Sequence, residues 1–299
     1  MTRPAFRFAA IAAVLIIGLV AAELGLRSIG AAYTNLVRTP PASFAPGDTV
    51  KLLAIGDSFT FGIGADGPHS YPDQLQELLD ENFGANACRV LNWGLPAQNS
   101  SEALLALAGA FDHDLHPDFV LVAVGINNYW NWHLASHFLP GDDALGRVHA
   151  AASGWRVWRF LAVLFSGGPA AAGKLYAKND ETDRNDPWFA HLRDDGPAWL
   201  TQWLAADFAA MRDLCRQRGA KLVLINYHLP SKTTAAAFRR FTDDPDVIAV
   251  DAAHPSGALE DVLSKDGWHP NATGYRRVAR IVATALDPAL RRMLPAKSP

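Results

Sequence analysis

The chain is poor in the residues that build redox, metal and nucleic-acid sites. Its 299 residues include only two cysteines, Cys88 and Cys215. Neither stands in a CxxC or Cys/His spacing, which argues against a zinc knuckle or a dithiol centre. Cys88 opens an apolar strand pattern and Cys215 falls in a helical one, so both read as separate buried thiols behaving as small apolar side chains. Positive charge is not in excess: 27 lysines and arginines meet 30 aspartates and glutamates, leaving a net charge of −3. No basic stripe with interleaved aromatics is present, so no nucleic-acid partner is expected. There is no GxGxxG and no GxxxxGK[ST] loop to cradle phosphates. His113, His116, His133, His137 and His149 share one stretch, and His133/His137 have the i, i+4 spacing of metal ligands on a helix. No glutamate follows His133, so the metalloprotease pattern is missing. Neither a metal nor a cofactor is expected.

What the chain has is ordinary globular composition, 49% apolar and 19% charged, with enough length for a full core and one or two domains. One long apolar run stands out. Arg3 and Arg7 precede an uncharged stretch from Phe8 to Ala22, and positive charge before such a run sends its far side across a membrane. The run is shorter than the roughly 20 residues of a comfortable span, so a retained anchor and a cleaved signal segment are both open readings. Val20-Ala21-Ala22 offers a small-residue cleavage site, whereas Leu24 and Leu26 extend the apolar face beyond Glu23. A buried helix of the soluble part is the bland alternative. Residues 1–27 are therefore read as an anchor or signal segment and 28–49 as a linker. The Pro-rich stretch Thr39 to Asp48 gives that linker its character.

From Val50 the pattern alternates short apolar runs with helical spacing. Val50 to Ile55, Arg89 to Asn92, Phe119 to Val124, Lys221 to Asn226 and Val247 to Val250 read as strands. Tyr71 to Phe83, Ser101 to Phe111, Trp199 to Arg218 and Tyr275 to Leu286 read as helices, the third ended by Gly219 in the left-handed position after a helix. Such alternation means βαβ units and a parallel sheet with helices on both faces. Ligand sites in these sheets lie at the carboxyl ends of the strands. Ser58, Gly94 and Asn127 each follow a strand within a few residues and so share that edge. Between about 129 and 197 no strand is legible, yet Trp130, Trp132, Trp155, Trp158 and Trp188 fall there, with a helix expected over Gly154 to Phe165. This insertion reads as a satellite cluster, as a lid or acyl wall, or as a membrane-surface contact through Arg156 and Arg159 beside the aromatics.

Chemistry concentrates at both ends of the sheet domain. Gly56-Asp57-Ser58-Phe59 puts a serine at a strand-to-helix turn, where helical amides favour developing negative charge. Alone it is no more than a helix-capping serine. Asp266-Gly267-Trp268-His269-Pro270 spaces a carboxylate and an imidazole so that the first can orient the second, and Pro270 suits a first helical position. Gly94, in Asn92-Trp93-Gly94, offers an uncrowded backbone amide. Asn127, in Gly125-Ile126-Asn127-Asn128, offers a side-chain amide. Each also has a plain turn or strand-end explanation.

The four blocks in this order resemble the SGNH (GDSL-type) hydrolase superfamily, over roughly Val50 to Leu286. The resemblance implies a flavodoxin-like three-layer α/β/α sandwich with a parallel sheet of about five strands, in a domain at 50–290 that carries the insertion. It implies Ser58 as nucleophile, His269 as base and Asp266 as its orienter, with Ser58, Gly94 and Asn127 forming the oxyanion hole. The activity implied is a serine esterase acting on acyl or acetyl esters, its substrate a small molecule or a glycan. Two other readings stand beside it: an O-acyltransferase or deacetylase of envelope polysaccharide or peptidoglycan, and a catalytically silent binding module. With the N-terminal segment in the membrane, the catalytic part faces the periplasm of a bacterial-type envelope; if the segment is cut, the protein is periplasmic or secreted. Two departures are visible: Phe59 where leucine is frequent, and Asn128 where the third block usually carries aspartate.

Overall fold

Five runs rich in Val, Leu and Ile pair into one parallel sheet in the computed structural model, which describes residues 3–37, 43–45, 47, 49–139, 144–165, 198–228, 232–253 and 261–294. The strands are β1 (Val50–Gly56), β2 (Cys88–Gly94), β3 (Phe119–Ala123), β4 (Lys221–Asn226) and β5 (Val247–Asp251), in the spatial order β2-β1-β3-β4-β5. All four pairings are parallel. Because side chains alternate along a strand, each strand feeds two cores. Leu53, Ile55, Val120, Val122, Leu222 and Leu224 face one side, and Leu52, Ala54, Leu121, Val223 and Ile225 the other.

Helices cover both faces, as an all-parallel sheet requires. On the first side lie α4 (Ser100–Asp112), α7 (Ala198–Gln217) and α8 (Lys232–Phe238), contributing Leu107, Phe208, Met211 and Phe238. On the second lie α3 (Tyr71–Phe83) and α9 (Ala272–Met293), contributing Leu75, Leu79, Val278 and Val282. The three-layer α/β/α expectation therefore holds. Cys88 and Cys215 are free and buried in opposite cores. Gly219 follows α7 with φ +75°, the left-handed stop that the sequence suggests.

Four helices depart from the sequence pattern. The last helix does not end at Leu286 but passes Pro288 and continues to Met293. Leu286, Leu290 and Leu294, spaced by four, are all buried, and that packing offsets the hydrogen bond Pro288 cannot donate. Its start also differs: Asn271 is the N-cap, accepting from Gly274 N–H, so Pro270 lies before the helix. Finally, α8, α5 (Ala144–Ala152) and the short helix α2 (Ser58–Phe61) are additions, α6 being the expected insertion helix, at Arg156–Phe165.

At the N-terminus a single helix, α1, runs Arg3–Val37, ten residues into the segment expected as linker. Its stretch Arg7–Tyr33 is long and apolar enough to cross a membrane, by length and composition. Residues Phe8 to Val20 are exposed, whereas Glu23 is buried against the insertion. Glu23 accepts the Val157 N–H at 2.9 Å and the Arg27 Nε–H at 2.7 Å, capping the first turn of α6 from another element. Most of the Pro-rich stretch, and Trp188, lie outside the described residues.

Strand order fixes where the fold opens. The chain leaves β1 toward β2 on one side and returns to β3 on the other, so the connections diverge above β1 and β3. Leu290→Ala tests the extended α9: with Leu290 fully buried the variant should lose about 2–5 kcal/mol, read as a lowered urea midpoint at constant m. A near-neutral effect contradicts the continuation past Pro288.

Candidate active site

The β1–α2 turn rises directly from the divergence point. Gly56 ends β1, Asp57 caps α2 by accepting the Phe59 N–H at 3.0 Å, and Ser58 is the first helical residue. The cap is thus Asp57, not Ser58, which frees the serine hydroxyl for another partner. That partner is His269: its Nε2 lies 2.8 Å from Ser58 Oγ, with both residues buried.

His269 is held from behind by a compact loop. Asp266 Oδ2 sits 2.6 Å from His269 Nδ1. Asp266 Oδ1 accepts the backbone N–H groups of Trp268 and His269, each at 2.9 Å, and the Ser264 hydroxyl at 2.7 Å. Both sequence readings of Asp266 are therefore compatible, since one oxygen caps the turn while the other meets the imidazole. Partial burial pushes this carboxyl up, but the hydrogen bonds from His269, Ser264 and the Trp268 backbone hold it below the usual carboxylate range. A carboxylate kept ionised beside Nδ1 keeps the proton there, leaving Nε2 to accept one.

The donors near Ser58 are arranged less simply. Ser58 N–H has no internal hydrogen-bond partner among the described residues, and it lies at the positive end of α2. Gly94 packs so tightly on the turn that a Cβ there would lie 2.3 Å from Phe61 N. Its own N–H, however, is taken by Asn92 Oδ1 at 2.9 Å. Asn127 Nδ2 points to Gln98 O at 3.1 Å and Asp57 Oδ2 at 3.3 Å. The orientation of that amide is fixed because Trp130 Nε1, a donor only, reaches Asn127 Oδ1 at 3.0 Å. All three expected donors thus meet at one edge, with Ser58 N–H open and the other two already engaged by Asn92, Gln98 and Asp57.

Two supports are invisible in the motifs. Tyr227, one residue past β4, donates its hydroxyl to Asp57 Oδ2. Burial lifts Asp57 to about 7 against the hydrogen bonds from Tyr227 and Phe59. Burial and the neighbouring Asp57 likewise raise the Tyr227 phenol, keeping it a donor. Asn128 explains its own departure from aspartate. Ser100 Oγ donates to Asp207, so its remaining capacity is to accept, and Asn128 Nδ2 supplies that proton at 2.6 Å. Asn128 Oδ1 accepts the Ser100 N–H at 2.9 Å. An unprotonated aspartate could not make both bonds.

The histidine cluster is occupied elsewhere. His133 Nδ1 lies 3.1 Å from Glu102, and His149 bridges Trp130 O at 2.8 Å and Trp158 Nε1 at 3.3 Å. His133 and His137 do not share a helix. No group of three metal-ligating side chains occurs among the described residues. In the insertion, Trp132 packs edge-on to Trp199, and Trp203 is fully buried beside them.

The chain is similar to known proteins. The model of the GDSL-like lipase/acylhydrolase family matches residues 54–277. An acetylxylan esterase of Xylanibacter ruminicola is 35% identical over 101 residues, 30% of this chain and 20% of that protein. The chain thus spans about a fifth of the length of that relative. Among solved structures, the lipase Lip_vut3 from a goat rumen metagenome matches at 16% identity and TM-score 0.49, covering 79% of this chain and 97% of its own. A Clostridium thermocellum family 3 carbohydrate esterase matches at 14% identity and TM-score 0.47, covering 82% and 99%.

The raised Asp57 carboxyl gives a pH signature. Its ordinary value is 3.8 and its folded value about 7, so between them the folded protein keeps a proton that the unfolded chain releases. That contribution to stability is complete below 3.8 and disappears as pH rises through about 7. Asp57→Asn should flatten the decline in urea midpoint across this window. The same slope in both proteins contradicts the assignment.

Proposed function

The chain belongs to the GDSL-like lipase/acylhydrolase family and is an ester-hydrolysing enzyme; on that premise we propose that Ser58, His269 and Asp266 carry the reaction. The observation that supports this most is the unbroken chain of contacts, 2.8 Å from Ser58 Oγ to His269 Nε2 and 2.6 Å from His269 Nδ1 to Asp266 Oδ2. The substrate is a carboxylic ester of a small molecule or a glycan. The match to part of an acetylxylan esterase supports including acetylated glycans.

In this mechanism the Ser58 hydroxyl proton passes to His269 Nε2 as Oγ bonds to the ester carbonyl carbon. The carbonyl electron pair moves onto oxygen, and Ser58 N–H is the first donor to meet it. Gly94 N–H and Asn127 Nδ2 join by exchanging Asn92 Oδ1 and Asp57 Oδ2 for the new negative charge, a stronger acceptor. Collapse breaks the bond to the alcohol oxygen, which leaves with the proton from His269. Water then gives a proton to His269 while its oxygen attacks the acyl-enzyme. The acid departs and the proton returns to Ser58.

We also assign α1 as an inner-membrane tether, with the catalytic part on the periplasmic side. The arginines ahead of its exposed apolar run support that orientation.

Ser58→Ala should abolish hydrolysis of short acyl esters with the circular dichroism spectrum unchanged, and turnover retained by that variant overturns the assignment. Asp266→Asn keeps the shape but lets Nδ1 lose its fixed proton, and should lower kcat by on the order of 10⁴-fold. An effect below tenfold leaves Asp266 only its role in capping the turn.

A further inference from the structure

A cavity of about 540 Å³ opens beside the candidate site, and the membrane-type helix forms one of its walls. Gly30 and Tyr33 of α1 line one side, and Tyr33 also stacks on Phe61 of the Ser58 turn with ring centroids 6.0 Å apart. Arg156, Arg159 and Phe160 of α6, which packs against α1 at Gly30, line it as well, together with Glu102 of α4. Leu95, Gln98 and Trp130 line it too; Trp130 bonds Asn127, and Asn127 bonds Gln98 O. The cavity therefore begins within one residue contact of the acyl-transfer donors.

Its chemistry is mixed in a specific way. Apolar and aromatic side chains dominate the wall, yet the guanidiniums of Arg27, Arg156 and Arg159 converge beside it. Arg27 pairs with Glu23 at 2.7 Å and Arg159 with Glu102 at 3.2 Å. Arg156 has no carboxylate partner among the described residues, and its hydrogen bond goes to Leu26 O at 3.4 Å. Burial, then Arg159 and Arg27, press its guanidinium below the usual value, so a bound anion would relieve both desolvation and repulsion. Gln98 adds a second sign. It is 6% exposed and its Oε1 is buried with no partner. Such a group is costly unless a ligand completes it.

We propose that this cavity holds the non-reacting part of an ester that joins an apolar chain to an anionic group, with Arg156 as the specificity-determining partner of the anion and α1 as a fixed wall. The inference rests on the esterase reading of Ser58 and narrows its substrate. Phenyl rings and aliphatic side chains take the chain, Arg156 takes the charge, and Gln98 takes a hydroxyl or, with its amide turned over, an anionic oxygen.

Gly30 makes the α1 wall testable by a change that removes no charge. A Cβ at Gly30 would lie 2.1 Å from Arg156 Nη1, so Gly30→Ala must displace that guanidinium. Full-length protein in a neutral detergent is assayed on ester pairs differing by one negative charge. In one arm the charge is on the acyl side, p-nitrophenyl hemiadipate against p-nitrophenyl hexanoate. In the other it is on the alcohol side, lysophosphatidylglycerol against the monoacylglycerol of equal chain length. Wild type should prefer the anionic member of at least one pair in kcat/KM, and the favoured pair identifies the source. Arg156→Gln and Gly30→Ala should each reduce that preference by about tenfold or more, while the surface variant Arg280→Gln leaves it in place. Equal preference in wild type and Arg156→Gln overturns the proposal. Calorimetric binding of dodecyl phosphate separates this failure from a failure of the esterase reading. Tight binding that Arg156→Gln weakens supports the cavity even if Ser58→Ala retains turnover, and absence of binding overturns it.

Discussion

One contact, made across 211 residues of chain, organises the site: His269 Nε2 against Ser58 Oγ at 2.8 Å. Each residue is held by its own neighbours in sequence, but nothing local brings the two together. Ser58 is placed by the end of β1 and the cap that Asp57 makes, whereas His269 is placed by the Asp266 turn and by Asn271 at the start of α9. The two positions agree because α3 and α9 pack together on one face of the sheet. A sheet built of near-continuous apolar strands is what makes those positions rigid, since each strand is locked from both faces.

Around that contact, chains of hydrogen bonds satisfy the buried Asp57 and Asn128 side chains, whereas Gln98 Oε1 is left without a partner. Asp57 has no exposed surface, yet three donors reach it: Phe59 N–H, the Tyr227 hydroxyl and Asn127 Nδ2. The Asn127 side chain in turn meets Trp130 and Gln98. Below it, Asn128, Ser100, Ser101, Asp207 and Trp203 form a second chain that ties α4 to α7. These networks carry the insertion as well, because Asn99 Nδ2 donates to the backbone carbonyls of Asn131 and His133. The Trp-rich segment is therefore continuous with the site, and its α6 is capped by a carboxylate from α1.

Much of the frame was legible in the sequence. The five strands, the helix Tyr71–Phe83 and the glycine stop after α7 follow from local periodicity, which depends on near neighbours alone. The shared strand edge of Ser58, Gly94 and Asn127 follows from parallel topology. What escaped depends on distant partners. Tyr227 is an unremarkable residue after a strand until it meets Asp57. Glu23 looks like an interruption of an apolar run until α6 lies against it. The engagement of Gly94 N–H by Asn92 needs the exact path of the β2 turn, and the continuation of α9 past Pro288 needs the core that receives Leu290 and Leu294. The histidine pair at 133 and 137 shows the same dependence: its spacing means a shared face only in a helix, and the two do not share one.

We propose that Ser58 is a nucleophile made reactive by His269. Fluorophosphonate labelling followed by peptide mass spectrometry tests it most directly, because the reagent is captured only by an activated hydroxyl. A single stoichiometric adduct is expected on the peptide containing Ser58 in the full-length protein, and its loss in His269→Ala. Labelling of a different serine, or undiminished labelling of Ser58 without His269, would contradict it.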